Sequence, residues 1–164
     1  MAITDEDKKF LEIIDREEPN ANCLRANIAA AIVKDGELLI KHCNDWHPEY
    51  NCSEIGCIRN EMKVESGTRR EICYGICAEQ WCLALAAKQG LNVEGSTMYC
   101  TKHPCRVCSS LIAESGIKRV VFQEGYPEVV PRFNILKDRG IIVEQGPNIV
   151  YPDDAPPERK IWSV

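Results

Sequence analysis

The amino-acid sequence predicts one α/β domain, and three observations carry this prediction. Strand-like segments alternate with helix-like segments over the second half of the chain, which is typical of a sheet layered with helices. A length of 164 residues suits a single domain with a substantial core. The composition, 45% hydrophobic and 27% charged residues, is ordinary for a globular protein, and the longest apolar run, residues 28–33, is too short to span a bilayer.

The N-terminal part of the chain predicts a helix followed by a β-hairpin. Thr4 is a suitable N-cap, three acidic residues follow it, and an apolar stripe continues to a stop near Pro19. Residues 27–33 and 37–43 are rich in strand-forming residues, and the Lys-Asp-Gly sequence at 34–36 favours a tight turn between them.

The rest of the domain continues the alternation after an irregular stretch. Residues 44–75 show little periodicity, and we interpret them as a cysteine-rich insertion that a metal ion or a function must hold in place. The elements predicted after it are a helix at 77–89, a strand at 97–101, a helix at 105–114, a strand at 118–123, a helix at 131–138 and a strand at 141–144. Residues 1–145 therefore form the predicted domain, and residues 146–164 form an extended C-terminal tail.

The net charge and the cysteine content indicate which classes of partner and which cellular compartment to expect. Acidic residues outnumber basic ones by 25 to 20, and the net charge of −5 disfavours a nucleic-acid polymer as partner. Residues 1–9 lack an export signal pattern, so we expect a cytoplasmic protein. In a reducing compartment, ten cysteines indicate metal binding or thiol chemistry rather than disulfides.

Three of the cysteines are placed where they can share one ion. Cys77 opens one predicted helix, and Cys105 and Cys108 open another directly after a strand. Positions i and i+3 share a helix face, and a helix N-terminus stabilises thiolates. Three protein ligands leave the fourth tetrahedral position open, as catalytic zinc requires. Glu79, in the first turn of the Cys77 helix, is placed to take a proton from water and return it to a substrate.

The same cysteines permit two other interpretations. They can be buried structural thiols, or Cys105 and Cys108 can form a redox pair, because a strand followed by Cys-x-x-Cys and a helix is also thioredoxin-like. Both interpretations leave Cys77 and Glu79 unexplained, and the tryptophan that usually precedes such a redox pair is missing. We therefore favour a zinc site.

The Cys-Ala-Glu sequence at 77–79, followed by Pro-Cys-Arg-Val-Cys at 104–108, resembles the signature of the zinc-dependent cytidine and deoxycytidylate deaminases. The resemblance covers roughly residues 20–130 and is greatest with deoxycytidylate deaminases that carry a cysteine-rich insertion. It implies a cytidine-deaminase-like fold, a three-layer α/β/α sandwich with a mixed sheet. It also implies a homo-oligomeric zinc hydrolase that acts on a small nucleotide, converting dCMP to dUMP with release of ammonia.

The resemblance also implies roles for individual residues. Cys77, Cys105 and Cys108 would hold the zinc ion, and Glu79 would transfer protons. The positions implied in substrate binding are Asn44 at the sugar, the Ala78 backbone at the base, Tyr126 near the substrate and Trp81 over the metal pocket.

Four positions depart from the usual pattern of the deoxycytidylate deaminases: Cys77, Trp81, His103 and Ala29. Cys77 stands where they carry histidine, and a third thiolate weakens the power of zinc to acidify water unless helix termini or a hydrogen bond to sulfur offset its charge. Trp81 stands where relatives carry asparagine and alters the shape of the pocket. These departures leave open a different aminated heterocycle as substrate, such as a nucleoside or guanine, and a zinc-stapled binding module without catalysis.

Four cysteines outside the motif predict a second, structural zinc site. The insertion has few apolar residues with which to hold itself, and four thiolates would close a tetrahedral shell. Relatives with this insertion carry cysteines at matching places. The alternative is that one or two of the four cysteines of this chain are buried thiols without a metal. The four residues are Cys23, Cys52, Cys57 and Cys73.

The remaining candidates receive plainer interpretations. His42 and His47 are expected to pack or to face solvent rather than to bind metal. Three cysteines fall within predicted strands or helices and are expected in the core: Cys43, Cys82 and Cys100. Four arginines are alternatives for a clamp on a substrate phosphate, because guanidinium forks match phosphate oxygens, and the sequence does not choose among them: Arg25, Arg59, Arg69 and Arg70.

Overall fold

A five-stranded mixed sheet forms the centre of the fold. The computed structural model describes residues 2–45, 52–125 and 134–147. The strands are β1 (Ala29–Lys34), β2 (Glu37–Cys43), β3 (Thr97–Lys102), β4 (Arg119–Glu124) and β5 (Ile142–Gln145). Their order across the sheet is β2-β1-β3-β4-β5. Strand β1 is antiparallel to β2 and β3, whereas β3, β4 and β5 run parallel, so the prediction of a mixed sheet is confirmed.

Helices cover both faces of this sheet. The α-helices of the described residues are α1 (Asp5–Glu17), α2 (Cys52–Ile55), α3 (Ile58–Glu61), α4 (Ala78–Gln89), α5 (Arg106–Glu114) and α6 (Ile135–Asp138). On one face, α1 buries Phe10, Leu11 and Ile14 against the sheet. On the other face, buried residues of α4, α5 and α6 form a second core cluster with the strands. The three-layer α/β/α sandwich is therefore confirmed.

Strand β1 is the most enclosed part of the sheet. Ala29, Ala30 and Ala31 are 0% exposed, because Ala29 and Ala31 face α1 while Ala30 faces the α4 side. Three small side chains in a row let both helix layers approach the sheet closely.

A buried charge network fixes α1 to the sheet. Thr4 caps α1 and exchanges hydrogen bonds with Asp7, as the N-cap prediction requires. The Asp7 carboxylate, 1% exposed, accepts hydrogen bonds from the Arg119 guanidinium at 2.6 and 2.9 Å and from the Tyr99 hydroxyl at 2.7 Å. Arg119 also pairs with Glu144 of β5. The network therefore ties α1 to β3, β4 and β5 at once.

The predicted hairpin is confirmed, with a tighter turn than the sequence indicated. Lys34 pairs with Glu37, which leaves Asp35 and Gly36 as a two-residue loop. Both have positive φ, 50° and 77°, the geometry of the turn that suits right-twisted strands. Glycine at the second position tolerates this conformation without steric cost.

The insertion contains more regular structure than its sequence predicts. The single-turn helices α2 and α3 and a 3-10 turn at Arg70–Ile72 lie within the stretch that we predicted to be irregular. They are too short to show apolar periodicity, so this part of the prediction is wrong in detail. Arg25 holds the insertion to the chain before β1, donating to the Asn60 side chain at 2.9 Å and to the Val64 carbonyl at 2.8 Å.

Several element boundaries shift by a few residues. The 77–89 and 105–114 helices begin one residue later than predicted, with Cys77 and Cys105 as their N-caps. The helix predicted at 131–138 is described from Ile135 onward, and residues 131–133 lie outside the described part. Residues 148–164 also lie outside it, so the division into a domain of 1–145 and a tail stays a prediction.

Among the described helices, none combines the length and the apolar character that crossing a membrane requires.

Candidate metal centre and active site

The N-termini of α4 and α5 bring three cysteines together beyond the end of β3. Cys77 is the N-cap of α4, Cys105 is the N-cap of α5, and Cys108 lies one turn along α5. Their sulfur atoms all lie within 4.8 Å of one another, and the sulfurs of Cys77 and Cys105 are 4.0 Å apart. In the three described ranges, this is the only group of three or more metal-ligating side chains with that spacing.

The spacing of these sulfur atoms fits a tetrahedral zinc ion. Thiolates that bind zinc at about 2.3 Å in tetrahedral geometry lie about 3.8 Å from each other. The observed 4.0 Å between the Cys77 and Cys105 sulfurs therefore needs little adjustment. Three sulfur ligands also leave one coordination position for water or substrate, which distinguishes a catalytic site from a closed structural one.

The three thiols share their protons unequally. Hydrogen bonds from the thiols of Cys108 and Cys77 hold the pKa of Cys105 far below its usual range. Through the same contacts, the pKa of Cys108 is raised. The cluster therefore already favours one thiolate, at the N-terminus of α5 where the helix dipole stabilises negative charge.

Glu79 lies beside this cluster as a buried carboxyl group with an unused oxygen. It is 3% exposed, and its Oε2 atom has no hydrogen-bond partner among the described residues. Burial raises the pKa of Glu79 to about 7, and negative charge on Cys105 contributes to the rise. A carboxyl group with a pKa near neutrality can both accept and return a proton, as a general acid–base catalyst must.

Arg70 donates a hydrogen bond to the cluster from the insertion. Its Nη1 atom lies 3.0 Å from the Cys77 sulfur, and its charge lowers the pKa values of Cys105 and Glu79. The sequence indicated Arg70 only as one of four arginines that could bind phosphate. No local signal could have separated it from the others, because the path of the insertion brings it to Cys77.

The other three arginines have partners within the insertion. Arg25 reaches Asn60 and the Val64 carbonyl, as described above. Arg59, 8% exposed, lies 3.5 Å from the Glu65 carbonyl oxygen, and Arg69 pairs with Glu71 at the surface. Phosphate binding by any of the four stays a prediction, and each has a structural contact in the described residues.

Asn44 directly follows β2, and Ala78 is the first residue of α4. The Asn44 side chain bridges two backbone groups before β1, accepting from the Ile28 N–H at 2.7 Å and donating to the Ala26 carbonyl at 2.8 Å. One hydrogen of its amide nitrogen remains for another acceptor. Ala78, the first residue of α4, is 0% exposed. Their contacts with a substrate stay predictions.

The Trp81 side chain, on α4, packs against β2 and the start of the insertion. Its ring stacks on His42 with centroids 4.7 Å apart, and its Nε1–H donates to the Asp45 carbonyl at 3.0 Å. The expected packing role of His42 is thereby confirmed. The position of Trp81 over the metal pocket stays a prediction. Tyr126 and His47 lie outside the described residues.

The four cysteines of the predicted second site are electrostatic neighbours. Burial, and then the charges of Cys23, Cys57 and Cys73, raise the pKa of the Cys52 thiol to about 11. The backbone N–H of Arg25 donates to the Cys23 sulfur at 3.4 Å, a contact that suits a metal-bound thiolate. No three of these sulfurs meet the 4.8 Å spacing that the other cluster shows.

The cysteines expected in the core are buried. Cys43 is 4% exposed, and Cys82 and Cys100 are 0% exposed. Burial raises the pKa of the Cys43 thiol to about 11, so this group stays a neutral thiol. The core prediction for these three residues is confirmed.

Comparison with known proteins agrees with this geometry. Residues 4–124 match the family model described as "Cytidine and deoxycytidylate deaminase zinc-binding region". Deoxycytidylate deaminase of Mycobacterium phage D29 is 32% identical over 128 residues, which cover 74% of this chain and 97% of the relative. The crystal structure of dCMP deaminase from the cyanophage S-TIM5, in complex with dCMP and dUMP, is 26% identical with a TM-score of 0.72, and the match covers 88% of this chain and all of that chain.

A longer relative matches over only part of its length. Deoxycytidylate deaminase of Saccharomyces cerevisiae is 28% identical over 143 residues, which cover 85% of this chain and 44% of the relative. The chain thus spans less than half the length of this yeast protein.

Proposed function

The chain belongs to the cytidine and deoxycytidylate deaminase family, and on this premise we propose that it converts dCMP to dUMP by hydrolytic deamination. The observation that carries the proposal is the buried Glu79 carboxyl, with one unused oxygen, beside three converging thiols at two helix N-termini. Relatives from yeast and phage with the name deoxycytidylate deaminase, and the similarity to a deaminase crystallised with dCMP and dUMP, support the choice of substrate.

The residues at this site have two functions, which are metal binding and proton transfer. Cys77, Cys105 and Cys108 would hold one zinc ion. Zinc supplies Lewis acidity that makes water nucleophilic near neutral pH. Glu79 accepts a proton from the attacking water and delivers it to the pyrimidine ring nitrogen. A second transfer through the same carboxyl group protonates the amine, so that water and dCMP become dUMP and ammonia.

The substrate contacts are part of the same proposal. The remaining amide hydrogen of Asn44 would bind a sugar oxygen, and the Ala78 backbone would bind the edge of the base. Tyr126 and Trp81 would flank the base, with Trp81 fixed by its stacking on His42. We propose the phosphate clamp among Arg25, Arg59 and Arg69 or residues outside the described part, because the present contact of Arg70 is with a proposed metal ligand, whereas those of the other three are within the insertion.

A substrate assay tests this function directly. Purified zinc-loaded protein is incubated with dCMP, deoxycytidine, cytidine and guanine, and ultraviolet absorbance and ammonia release are followed. We expect turnover with dCMP alone. Turnover with deoxycytidine, cytidine or guanine in its place would show that Cys77 and Trp81 mark another aminated heterocycle. A zinc-loaded protein that releases no ammonia from any of the four would favour a binding module.

We also propose a second zinc ion at Cys23, Cys52, Cys57 and Cys73. The mutual electrostatic influence of these thiols and the N–H contact to the Cys23 sulfur support it. No three of these sulfurs are as close together as those of the first cluster, so a bound ion would draw them together and tighten the insertion.

The assembly and compartment that we propose are a homo-oligomer in the cytoplasm. Apolar side chains exposed on α5 and just before α4 support self-association: Ile76 is 40% exposed, Val107 53% and Leu111 46%. The convergence of three cysteines at a candidate metal site supports a compartment in which thiols bind metal rather than form disulfides.

A further inference from the structure

A third thiolate changes the charge of the proposed zinc site. A divalent ion with two thiolates and one neutral histidine sums to zero, whereas the same ion with three thiolates carries one net negative charge. Glu79, buried beside the cluster, adds further negative charge when it is ionised. Surplus negative charge weakens the Lewis acidity of the ion, so a site with Cys77 in place of histidine needs a compensating group.

Arg70 lies where this compensation is required. Its Nη1 atom is 3.0 Å from the Cys77 sulfur, within hydrogen-bond distance, and Cys77 is the ligand that stands in place of histidine. A guanidinium group keeps its charge throughout the physiological pH range, and its planar N–H groups are directional donors. A hydrogen bond to the sulfur both orients it and withdraws electron density from it.

The backbone before Arg70 is arranged to direct this side chain inward. Arg69 adopts a left-handed conformation, with φ 49°, which is uncommon for a residue with a side chain. Its own side chain turns to the surface and pairs with Glu71, whereas Arg70 begins the 3-10 turn and points toward α4. Two adjacent arginines therefore have opposite environments, which supplies a matched control.

We infer that Arg70 is a positioning residue that neutralises and orients the Cys77 thiolate, so that a three-cysteine site can perform the chemistry of a histidine-containing one. The inference deepens the proposed function and rests on it for the identity of the metal. It assigns Arg70 to the metal ligand rather than to the substrate phosphate, and it explains why cysteine is acceptable at position 77.

Zinc affinity measures this role without any substrate. Zinc is removed from the full chain by a competing chelator, and the release step that is missing in Cys77→Ser identifies the ion at this cluster. We expect Arg70→Gln to weaken that step by about 10- to 100-fold, the usual effect of losing a partner of a metal ligand. Arg69→Gln, which removes the same charge from the neighbouring position, should leave it within about twofold. Unchanged affinity in Arg70→Gln would overturn the inference.

A double-mutant cycle separates charge compensation from a general effect on folding. In Cys77→His the loaded cluster is neutral, so adding Arg70→Gln should cost less than about threefold in zinc affinity. If Arg70→Gln costs as much in the Cys77→His background as in the wild-type background, Arg70 only supports the insertion and the inference is overturned.

The cobalt-substituted protein provides a readout that does not depend on the histidine variant. Absorption from sulfur-to-cobalt charge transfer reports the electron density on the sulfur ligands. We expect this band to move to longer wavelength in Arg70→Gln, to stay in place in Arg69→Gln, and to move less in Arg70→Lys, which retains the charge. A band that does not move in Arg70→Gln would contradict the proposed contact with sulfur.

Kinetics then distinguish the metal ligand from the substrate as the target of Arg70. With dCMP, Arg70→Gln should lower kcat and leave KM within about threefold. A rise in KM alone would assign Arg70 to the substrate phosphate and overturn the inference. If the wild-type protein does not act on dCMP but the cycle and the cobalt band behave as expected, the proposed function fails and the role of Arg70 stands.

Discussion

Glu79 places a carboxyl group where it costs stability. A buried polar atom without a hydrogen bond is unfavourable by about 1–3 kcal/mol, so the Glu79 Oε2 atom needs a reason to persist. Its proximity to three thiols supplies one, because a carboxyl group with a pKa of about 7 suits proton transfer. The buried, unpaired carboxyl group of Glu79 thus lowers the stability of the fold and at the same time suits proton transfer.

Glu79→Gln should therefore separate activity from stability. We expect kcat with dCMP to fall at least about 100-fold, because the amide cannot transfer the proton. Zinc content should be unchanged, and the thermal midpoint should stay the same or rise, because a buried charge is removed. Steady-state kinetics, metal analysis and a thermal melt check this. Glu94→Gln, at an exposed position paired with Lys118, is the control. Turnover within tenfold of wild type would contradict the assignment.

Residue spacing identified the cysteine cluster but could not identify its partner. Cys77, Cys105 and Cys108 are recognisable because Cys-Ala-Glu and Cys-x-x-Cys, each at the start of a helix, together are typical of a zinc site. Arg70 contacts Cys77 through a turn inside the insertion, and nothing in the local sequence distinguishes it from Arg69. A contact made through an irregular path leaves no periodic signal.

Among the elements, α1 depends most on one buried charge pair. Burial alone would raise the pKa of Asp7, but hydrogen bonds from Arg119, Thr4 and Tyr99 outweigh it and hold the pKa well below the usual value. A carboxyl group with a lowered folded pKa stabilises the fold above its unfolded pKa, about 3.9. The contribution disappears as the pH falls below that value.

Asp7→Asn should lower the free energy of unfolding by about 3 kcal/mol at pH 7, because Arg119 loses a buried partner. The difference from wild type should shrink as the pH falls below about 4, because Asp7 is then protonated in the unfolded chain but still ionised in the folded one, so that protons favour unfolding. Urea unfolding at several pH values measures both effects. Asp5→Asn, which affects only a surface pair with Lys8, is the control and should behave as wild type. A difference that is independent of pH would contradict the ion pair as its source.

The insertion gives the second prediction at the scale of elements. Cys52→Ser combined with Cys57→Ser should lower the zinc content by one ion per chain and reduce the thermal midpoint, because the bound ion would hold α2 and α3. Metal analysis and a thermal melt provide the measurements. Cys43→Ser, at a buried cysteine outside both clusters, should keep the full zinc content. Unchanged zinc content and stability in the double variant would remove the second site.

Regular elements were predictable, and the insertion was not. The hairpin and the long helices have local signals, such as the Asp-Gly turn, the Thr4 cap and Gly90 at the end of α4. The turns of the insertion depend on long-range contacts such as those of Arg25 with Asn60 and Val64. Sequence periodicity contains no information about such contacts, so the single-turn helices were missed.

For the whole molecule, the α5 surface tests the proposed self-association. Val107 and Leu111 are one helical turn apart and half exposed, with Ile76 also exposed on this side of the sheet. Light scattering after size-exclusion chromatography should give an oligomer for the wild-type chain. Leu111→Glu should reduce its size, because a charge would be buried in an apolar interface. Leu38→Glu, on β2, should leave the mass unchanged, and a monomeric wild type would contradict the proposal.

The two cysteine clusters share one short stretch of backbone. Arg70 lies three residues before Cys73 and seven before Cys77, so the same segment serves the insertion and the site at α4. An ion that fixes Cys73 would also fix the path that brings Arg70 to Cys77. By thermodynamic linkage, occupancy of either position then raises the affinity of the other by the same factor. Zinc uptake would be cooperative, and under zinc limitation the population would divide into fully loaded and empty chains, with few half-loaded ones between them.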